Sequence, residues 1–388
     1  MDVTWHRCVS MAGEAVRKPI YLDYNASTPI DPAVAAIMRP FLEENYGNPS
    51  SGHWASVPAE AALEGARRQV AELLGCAADE VVFTSGGSEA NNLALKGLFF
   101  ARRDRPSHIV TSQIEHPAIV APCRFLERLG ATVTYVPVDG SGLVDPDDIR
   151  KAITKDTFLI SIMHANNEVG TVQPIAEIAK IARAHEIPLH TDAAQSVGKI
   201  PTKVQELGVD LLSGAGHKVY APKGIGALYI RRGIAIEPLI HGAGHERGRR
   251  AGTESALQAA GLGKACELGQ SWIGMPAAQR LRDLFWDRLR GAFGNRVALN
   301  GHPALRLPNT LNVSFVGHVG AEILARTPDV AASTGSACHS GQITLSPVLA
   351  AMGIAPEVGM GAIRFSLGRG TTQDEVEEVV DQLRRVLA

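Results

Sequence analysis

The feature that most constrains this chain is a regular alternation of helix-spaced segments and short apolar runs between residues 60 and 230. Residues 61–74 have helical spacing, and 80–84 form a short apolar strand that ends in glycines. Residues 91–102 read as helix, 108–111 as strand, 117–129 as helix and 132–138 as strand. Residues 157–163 are continuously apolar, as a strand must be when both faces of its sheet are covered. A helix over 175–185, a strand over 187–191, and strands at 210–212 and 226–230 follow. Strands alternating with helices of this length predict βαβ units, hence an α/β fold with a mainly parallel sheet between helices.

The rhythm changes near residue 265. Beyond it the spacing predicts a long helix over 278–293, strands over 309–315 and 362–367, and a last helix. That helix opens with a capping box, Thr372-Gln373-Asp374-Glu375, and carries an apolar stripe through Val376, Val379, Val380 and Leu383. We therefore expect a poorly ordered leader over 1–18, a large domain over 19–265 and a smaller α+β domain over 266–388. The opening stretch of the large domain is expected to join the small one. Residues 331–347 are small, polar and rich in Gly and Ser, which predicts a mobile loop.

Composition narrows the function. The 388 residues carry 38 Lys and Arg against 40 Asp and Glu, a formal charge of −2, and only 5% aromatics. A nucleic-acid binder would show a basic excess, so neither nucleic acid nor an anionic membrane is expected as a partner. No apolar run approaches the ~18 residues of a spanning helix, and the N-terminus lacks the apolar core of a secretory signal. The five cysteines, at 8, 76, 123, 266 and 338, form neither a disulfide framework nor a CxxC zinc pattern, which points to a reducing, cytoplasmic setting.

Ligands of open α/β sheets bind beyond the carboxyl ends of the strands, and several polar clusters fall there. Thr84-Ser85-Gly86-Gly87-Ser88-Glu89-Ala90-Asn91-Asn92 follows a strand and opens a helix. Its glycines and helix N-terminus suit a phosphate, yet it matches neither nucleotide fingerprint; a plain capping turn is the bland alternative. His190-Thr191-Asp192-Ala193-Ala194-Gln195 places a carboxylate at a strand end, to hold a proton on a ring nitrogen or merely to cap a helix. Gly216-His217-Lys218 sets a lysine between predicted strands among glycines, where a partly desolvated amine forms Schiff bases, although most lysines are solvated. Glu115-His116 and Asn166-Asn167-Glu168 add two more strand ends. Cys338, within Gly335-Ser336-Ala337-Cys338-His339-Ser340, is a nucleophile candidate because structural cysteines are normally buried.

In this order along a βαβ chain, these residues resemble the cysteine desulfurase and selenocysteine lyase family, pyridoxal-phosphate enzymes of the class V aminotransferase fold. The resemblance runs from Tyr21-Leu22-Asp23-Tyr24-Asn25-Ala26 to the final helix. It passes through Gly47-Asn48-Pro49-Ser50-Ser51, Arg250-Ala251-Gly252-Thr253-Glu254, Leu307-Pro308-Asn309 and Ile363-Arg364-Phe365-Ser366. It implies fold type I, with a seven-stranded, mainly parallel sheet in the large domain. It also implies that Lys218 holds pyridoxal 5'-phosphate as a Schiff base, Asp192 pairs with the ring nitrogen, Gln195 contacts the ring hydroxyl and His116 stacks on the ring. Asn167 would lie beside cofactor and substrate; Gly87, Ser88 and His217 would bind the phosphate. Thr253 would reach the partner subunit's site, implying a homodimer. Arg364 would grip the substrate carboxylate and Cys338 would take the sulfur or selenium, passing it to an acceptor protein and leaving L-alanine.

Two departures stand out. Relatives acting on cysteine usually carry a serine where this chain has Ala215, with Ser213 further back. The small residue there, and His339, look more like the selenocysteine lyases, which tilts the expected substrate slightly toward selenocysteine. Another class V aminotransferase or β-lyase with Cys338 incidental, and a non-catalytic sulfur-assembly scaffold, are the rival readings. A metal site on His241, His245 and Cys338 lacks close spacing and is not expected. The Arg247, Arg249 and Arg250 cluster reads as a solvated or dimer-facing loop rather than an anion site.

Overall fold

The structure, a computed structural model, describes residues 19–102, 105–334, 338–339 and 342–387. The expected leader over 1–18 and part of the 331–347 loop lie outside the described residues.

Seven strands form the main sheet: β1 (Val81–Thr84), β2 (His108–Ser112), β3 (Thr132–Val136), β4 (Thr157–Ser161), β5 (Leu189–Asp192), β6 (Leu211–Ala215) and β7 (Gly226–Ile230). Their order is β1-β7-β6-β5-β4-β2-β3. β7 runs antiparallel to both neighbours and every other pairing is parallel, so the expected mainly parallel sheet is observed. Alternate strand residues feed two apolar cores. Val81, Phe83, Ile160 and Leu212 meet Leu63, Val70 and Ile178 on one face. Val82, Ile109, Leu159 and Leu211 meet Leu93, Ile119 and Leu126 on the other.

Several element ends fall where local chemistry, rather than periodicity, decides. β3 stops at Val136 because Pro137 has no N–H to donate. β4 stops at Ser161, short of the expected 163, as the chain turns toward the Asn166 motif. The helix expected from residue 91 starts at Gly87 (α2, Gly87–Ala101), because Gly86 (φ 152°) turns the chain directly into it. The helix expected from 61 starts at Val57 (α1, Val57–Leu74), with proline in its first turn, and stops at Gly75 (φ 70°).

In the C-terminal part, β8 (Val297–Asn300), β9 (Thr310–Phe315) and β10 (Ala362–Ser366) form an antiparallel sheet with β9 in the middle. Helices α6 (Pro276–Phe293) and α7 (Gln373–Leu387) pack on it. The capping box forms as expected, Thr372 N–H donating to Glu375 at 2.9 Å and Glu375 N–H to Thr372 Oγ1 at 3.3 Å. Ile20 and Leu22 belong to this same core. Between α2 and α6 come α3 (Pro117–Glu127), α4 (Ile175–Ala184) and α5 (Ala256–Gly269). Among the described residues no helix is long and apolar enough to cross a membrane, and no cluster suits a metal ion.

Candidate active site

The carboxyl ends of β1, β2, β4, β5 and β6 surround a cavity of about 370 Å³. Gly87, Ser88, His116, Asn167, Asp192, Gln195, His217, Lys218 and Arg364 all line it. Thr253 does not: it lines a separate cavity of about 220 Å³ with Ser85, Glu246 and Arg250. The backbone at Cys338–His339 pairs with Gln342–Ile343 in a short hairpin; the Cys338 side chain lies outside what is described.

Each wall is set by local folding. Gly87 begins α2, and a side chain there would come within 3.3 Å of the Ala215 methyl at the end of β6. Ala215 therefore faces the glycine cradle, and the hydroxyl absent there is absent from the cradle itself. Ser213 cannot replace it: its hydroxyl lies 2.9 Å from His190 Nε2 and is fully buried. His190 is a core residue, its other nitrogen 2.9 Å from Ser161 Oγ.

Asp192, the last residue of β5, accepts from Asn91 Nδ2 (2.7 Å) and from Ala194 N–H (2.9 Å). His116 caps α3, its Nδ1 accepting from Ala118 N–H at 3.1 Å. That bond leaves the proton of the neutral ring on Nε2. Burial foremost holds the ring below the usual histidine range; the Asp192 charge opposes that effect and Lys218 adds to it. The turn after β4 is folded by Asn166, which accepts from Glu168 and Val169 N–H at 2.8 and 2.9 Å. Asn167 carbonyl then receives Arg364 Nη1 at 2.8 Å, while Arg364 Nη2 is held by Asp23 at 2.6 Å. Arg364 Nε is buried with no partner among the described residues.

Lys218 Nζ donates to the carbonyls of Asn25 (2.5 Å) and Ala26 (2.8 Å). Burial first, then the Arg364 charge, pull its pKa down to about 8 against the opposing pull of Asp23 and Asp192. An amine so placed is a far better nucleophile near neutrality than an ordinary lysine at ~10.4. His217 is brought down to about 4 by burial and by Lys218 and Lys223. It is neutral at pH 7, and its Nδ1 is buried without a partner among the described residues.

These features fit an aromatic aldehyde phosphate. The orphan His217 nitrogen and the glycine-opened helix N-terminus suit the phosphate, Asp192 suits a protonated ring nitrogen, and Lys218 suits the aldehyde. Sequence reasoning missed two contributors. Asn25 is 1% exposed and ties the N-terminal segment to β9 and to the turn after β4, donating to Thr310 Oγ1 (2.8 Å) and Asn167 O (3.3 Å). Lys199, also buried, donates to Asn25 Oδ1 (3.2 Å) and to Gln195 Oε1 (3.1 Å), while Gln195 Nε2 reaches Asn25 O at 2.9 Å. The motif around Asn25 was visible, but nothing in the spacing marked Lys199 as buried. Of the arginine cluster, Arg250 is paired with Glu89, Arg247 lies 3.9 Å from Glu64 and Arg249 donates to the Asp79 carbonyl, which holds it in place without offsetting its charge.

The chain matches the profile of the aminotransferase class-V family over residues 20–379, and it belongs to that pyridoxal-phosphate-dependent class of enzymes. A cysteine desulfurase IscS of Dictyoglomus turgidum is 48% identical over 376 residues, covering 96% of this chain and 95% of that protein. A cysteine desulfurase of Rattus norvegicus is 44% identical over 387 residues, covering 98% and 86%. A solved NifS-like protein superposes with a TM-score of 0.88 at 36% identity, covering 95% of this chain and 99% of that one. The structure of SspA in complex with cysteine gives 0.82 at 39%, covering 91% and 100%. Within its class, this chain belongs to the cysteine desulfurases.

Proposed function

We propose that this enzyme takes the sulfur of L-cysteine onto Cys338, releasing L-alanine. The observation that carries the reading is the convergence of Lys218, Asp192 and Arg364 on one cavity at the carboxyl end of the sheet. Gly87, Ser88, His116, Asp192, Gln195, His217 and Lys218 would hold pyridoxal phosphate, which would supply an electron sink for a carbanion at the substrate Cα. Arg364, which lines the cavity, grips the substrate carboxylate, and Asn167 borders the same space. Lys218 Nζ, which would hold the cofactor aldehyde, would also carry the proton at the substrate Cα. His116 gives or receives a proton at Nε2. The Cys338 thiolate attacks substrate Sγ; the S–S bond forms as the Cβ–S bond breaks, and protonation of the remaining carbon skeleton gives alanine.

Cys338→Ala tests this: sulfide release from cysteine should fall to background while cofactor capture persists. Unchanged sulfide release would favour a β-lyase with Cys338 incidental, and protein unable to bind pyridoxal phosphate would favour the scaffold. Ala215 in the cradle supports a second substrate, L-selenocysteine, whose ionised selenol and weaker carbon–selenium bond ask less of Cys338. Steady-state rates on both amino acids decide the order.

The same reading includes a homodimer with Thr253 reaching the partner's site. Exposed apolar side chains crowd one stretch, Ile37 (45%), Leu42 (70%), Tyr46 (84%), Trp54 (81%) and Val57 (59%), which supports a covered face there. A small-domain boundary near 265, an acceptor protein for the sulfur and a reducing cytoplasmic setting complete the proposal. The unpaired Cys76, Cys123 and Cys266 agree with the last.

A further inference from the structure

Gln195 and Lys199 stand four residues apart on the turn that follows β5. Two backbone bonds wind it, Val197 N–H donating to Ala193 O at 3.0 Å and Lys199 N–H to Ser196 O at 2.9 Å. Residues so spaced lie on one side of a helical turn, and here Lys199 Nζ donates to Gln195 Oε1 at 3.1 Å. A second bond goes to Asn25 Oδ1 at 3.2 Å. Lys199 is 5% exposed, and its amine is held by two amide oxygens rather than by a carboxylate. The charged groups that face it, Lys218, Arg364 and, across a pocket of about 10 Å³, Arg369, are themselves basic.

An ammonium group only donates, and a backbone carbonyl only accepts. Lys199 thus claims the oxygen of the Gln195 amide, and the Asn25 carbonyl, 2.9 Å from Nε2, claims its nitrogen. The opposite amide orientation would set Nε2 against the ammonium and Oε1 against the carbonyl. Of the two N–H groups on Nε2, one serves Asn25 and the other remains for the cavity that Gln195 lines. The same Asn25 carbonyl receives Lys218 Nζ at 2.5 Å, so the two lysines meet at one residue. Burial first, then the charges of Lys218 and Arg364, draw Lys199 down to about 7. The neutral amine still has two N–H groups for the two amide oxygens, so the hold on Gln195 survives loss of the proton.

We propose that Lys199 is a positioning residue: it fixes the Gln195 amide so that a hydrogen-bond donor, never an acceptor, faces the hydroxyl of the cofactor ring. The inference rests on the reading of Gln195 as the partner of that hydroxyl and of Lys218 as the lysine that holds the cofactor. A donor there favours the ionised oxygen. The ring oxygen, ortho to the aldehyde carbon, then holds the proton at Lys218 Nζ less tightly.

The experiment follows, against pH, the visible absorption band of the full chain loaded with pyridoxal phosphate. Wild type, Lys199→Met, Lys199→Gln, Gln195→Leu and the Lys199→Met/Gln195→Leu double variant are compared. Arg364, Asp23 and Asp192, and the neighbouring His116 and His217, are the same in every one. Lys199→Met frees the amide and should move the midpoint up by about one pH unit, the tenfold that one hydrogen bond to a charged group contributes. Lys199→Gln keeps a donor for Gln195 Oε1 without the charge and should move it less. Gln195→Leu should raise it at least as far as Lys199→Met, and adding Lys199→Met to it should change nothing more. Where Lys199→Met does not fold, the smaller Lys199→Gln shift is read on both backgrounds and must likewise vanish with Gln195. An unmoved midpoint in Lys199→Met, an equal movement in Lys199→Gln, or an undiminished Lys199→Met effect on the Gln195→Leu background overturns the proposal. If Gln195→Leu alone leaves the midpoint in place, or wild type forms no visible band with pyridoxal phosphate, the underlying reading falls as well.

Discussion

The C-terminal core and the cavity wall are built from the same chain by opposite rules. Around β9, Phe285, Phe315 and Phe365 are at most 1% exposed. Phe285 and Phe365 rings lie 4.9 Å apart, and Phe293 meets Phe315 edge-on at 5.4 Å. Apolar area is removed from water, and the buried Asn312 and Ser314 of β9 are satisfied, each accepting from Asn300 Nδ2 at 2.8 Å. At the carboxyl end of the large sheet the reverse holds: Asn25, Asn91, Asp192 and Lys199 are buried there, and orphan atoms remain on His217 and Arg364. Burying polar groups without partners costs free energy. His217 and Arg364 both line the cavity, so there the contrast separates what holds the molecule together from what it works with.

Emptying the apolar side breaks the comparison hardest. Phe285→Ala should lower unfolding free energy by ~3–5 kcal/mol, the usual cost of an aromatic-to-alanine cavity. The folded fraction should keep its cofactor affinity, measured by denaturant titration alongside pyridoxal phosphate binding. A comparable loss of affinity would mean that the two regions are not separable.

The polar side is sharpened by returning a hydroxyl. Ala215→Ser places a donor in the cradle and should tighten pyridoxal phosphate about tenfold, since a bond to a charged acceptor contributes ~1.5–3 kcal/mol before the cost of ordering the hydroxyl. Unchanged affinity in a fluorescence titration would show that the phosphate lies elsewhere.

A subtler test uses Glu115, which accepts from Ser112 Oγ (2.7 Å) and Met163 N–H (2.9 Å) and has one oxygen without a partner among the described residues. Burial pushes its carboxyl up to about 8 from 4.5, with the Asp192 charge also raising it. The folded state then keeps this proton while the unfolded chain loses it. Its contribution to stability is whole below pH 4.5 and is lost as pH rises toward about 8. Glu115→Gln should flatten that part of the stability profile in melts between pH 5 and 8; an unaltered slope would place the titration on another group.

The regions also differed in legibility. The sheet strands and the α7 stripe could be read because period 2 and period 3.6 report burial directly, and Asp192, His116 and Lys218 stood at ends of strands already placed. Ends set by single residues, such as Pro137 and Gly86, were read less well. Asn25 and Lys199 were missed as site residues because their roles arise from contacts across 142 to 285 positions in the case of Asn25 and from burial of an amine in Lys199. Local pattern encodes neither. Ser213 was visible, but its bond to His190 could only come from strand register, which sets Asp192 beside Ser213 and His190 beside Leu211.

Lys218, its pKa pulled down to about 8, lines the cavity, and a second depressed amine, Lys199 at about 7, bonds Asn25 and Gln195 of its wall. Borohydride reduction of the pyridoxal-phosphate-loaded protein followed by peptide mass spectrometry asks which of them the cofactor has joined. The account predicts the pyridoxyl adduct on the Lys218 peptide; an adduct on Lys199 or elsewhere, or none, would contradict it.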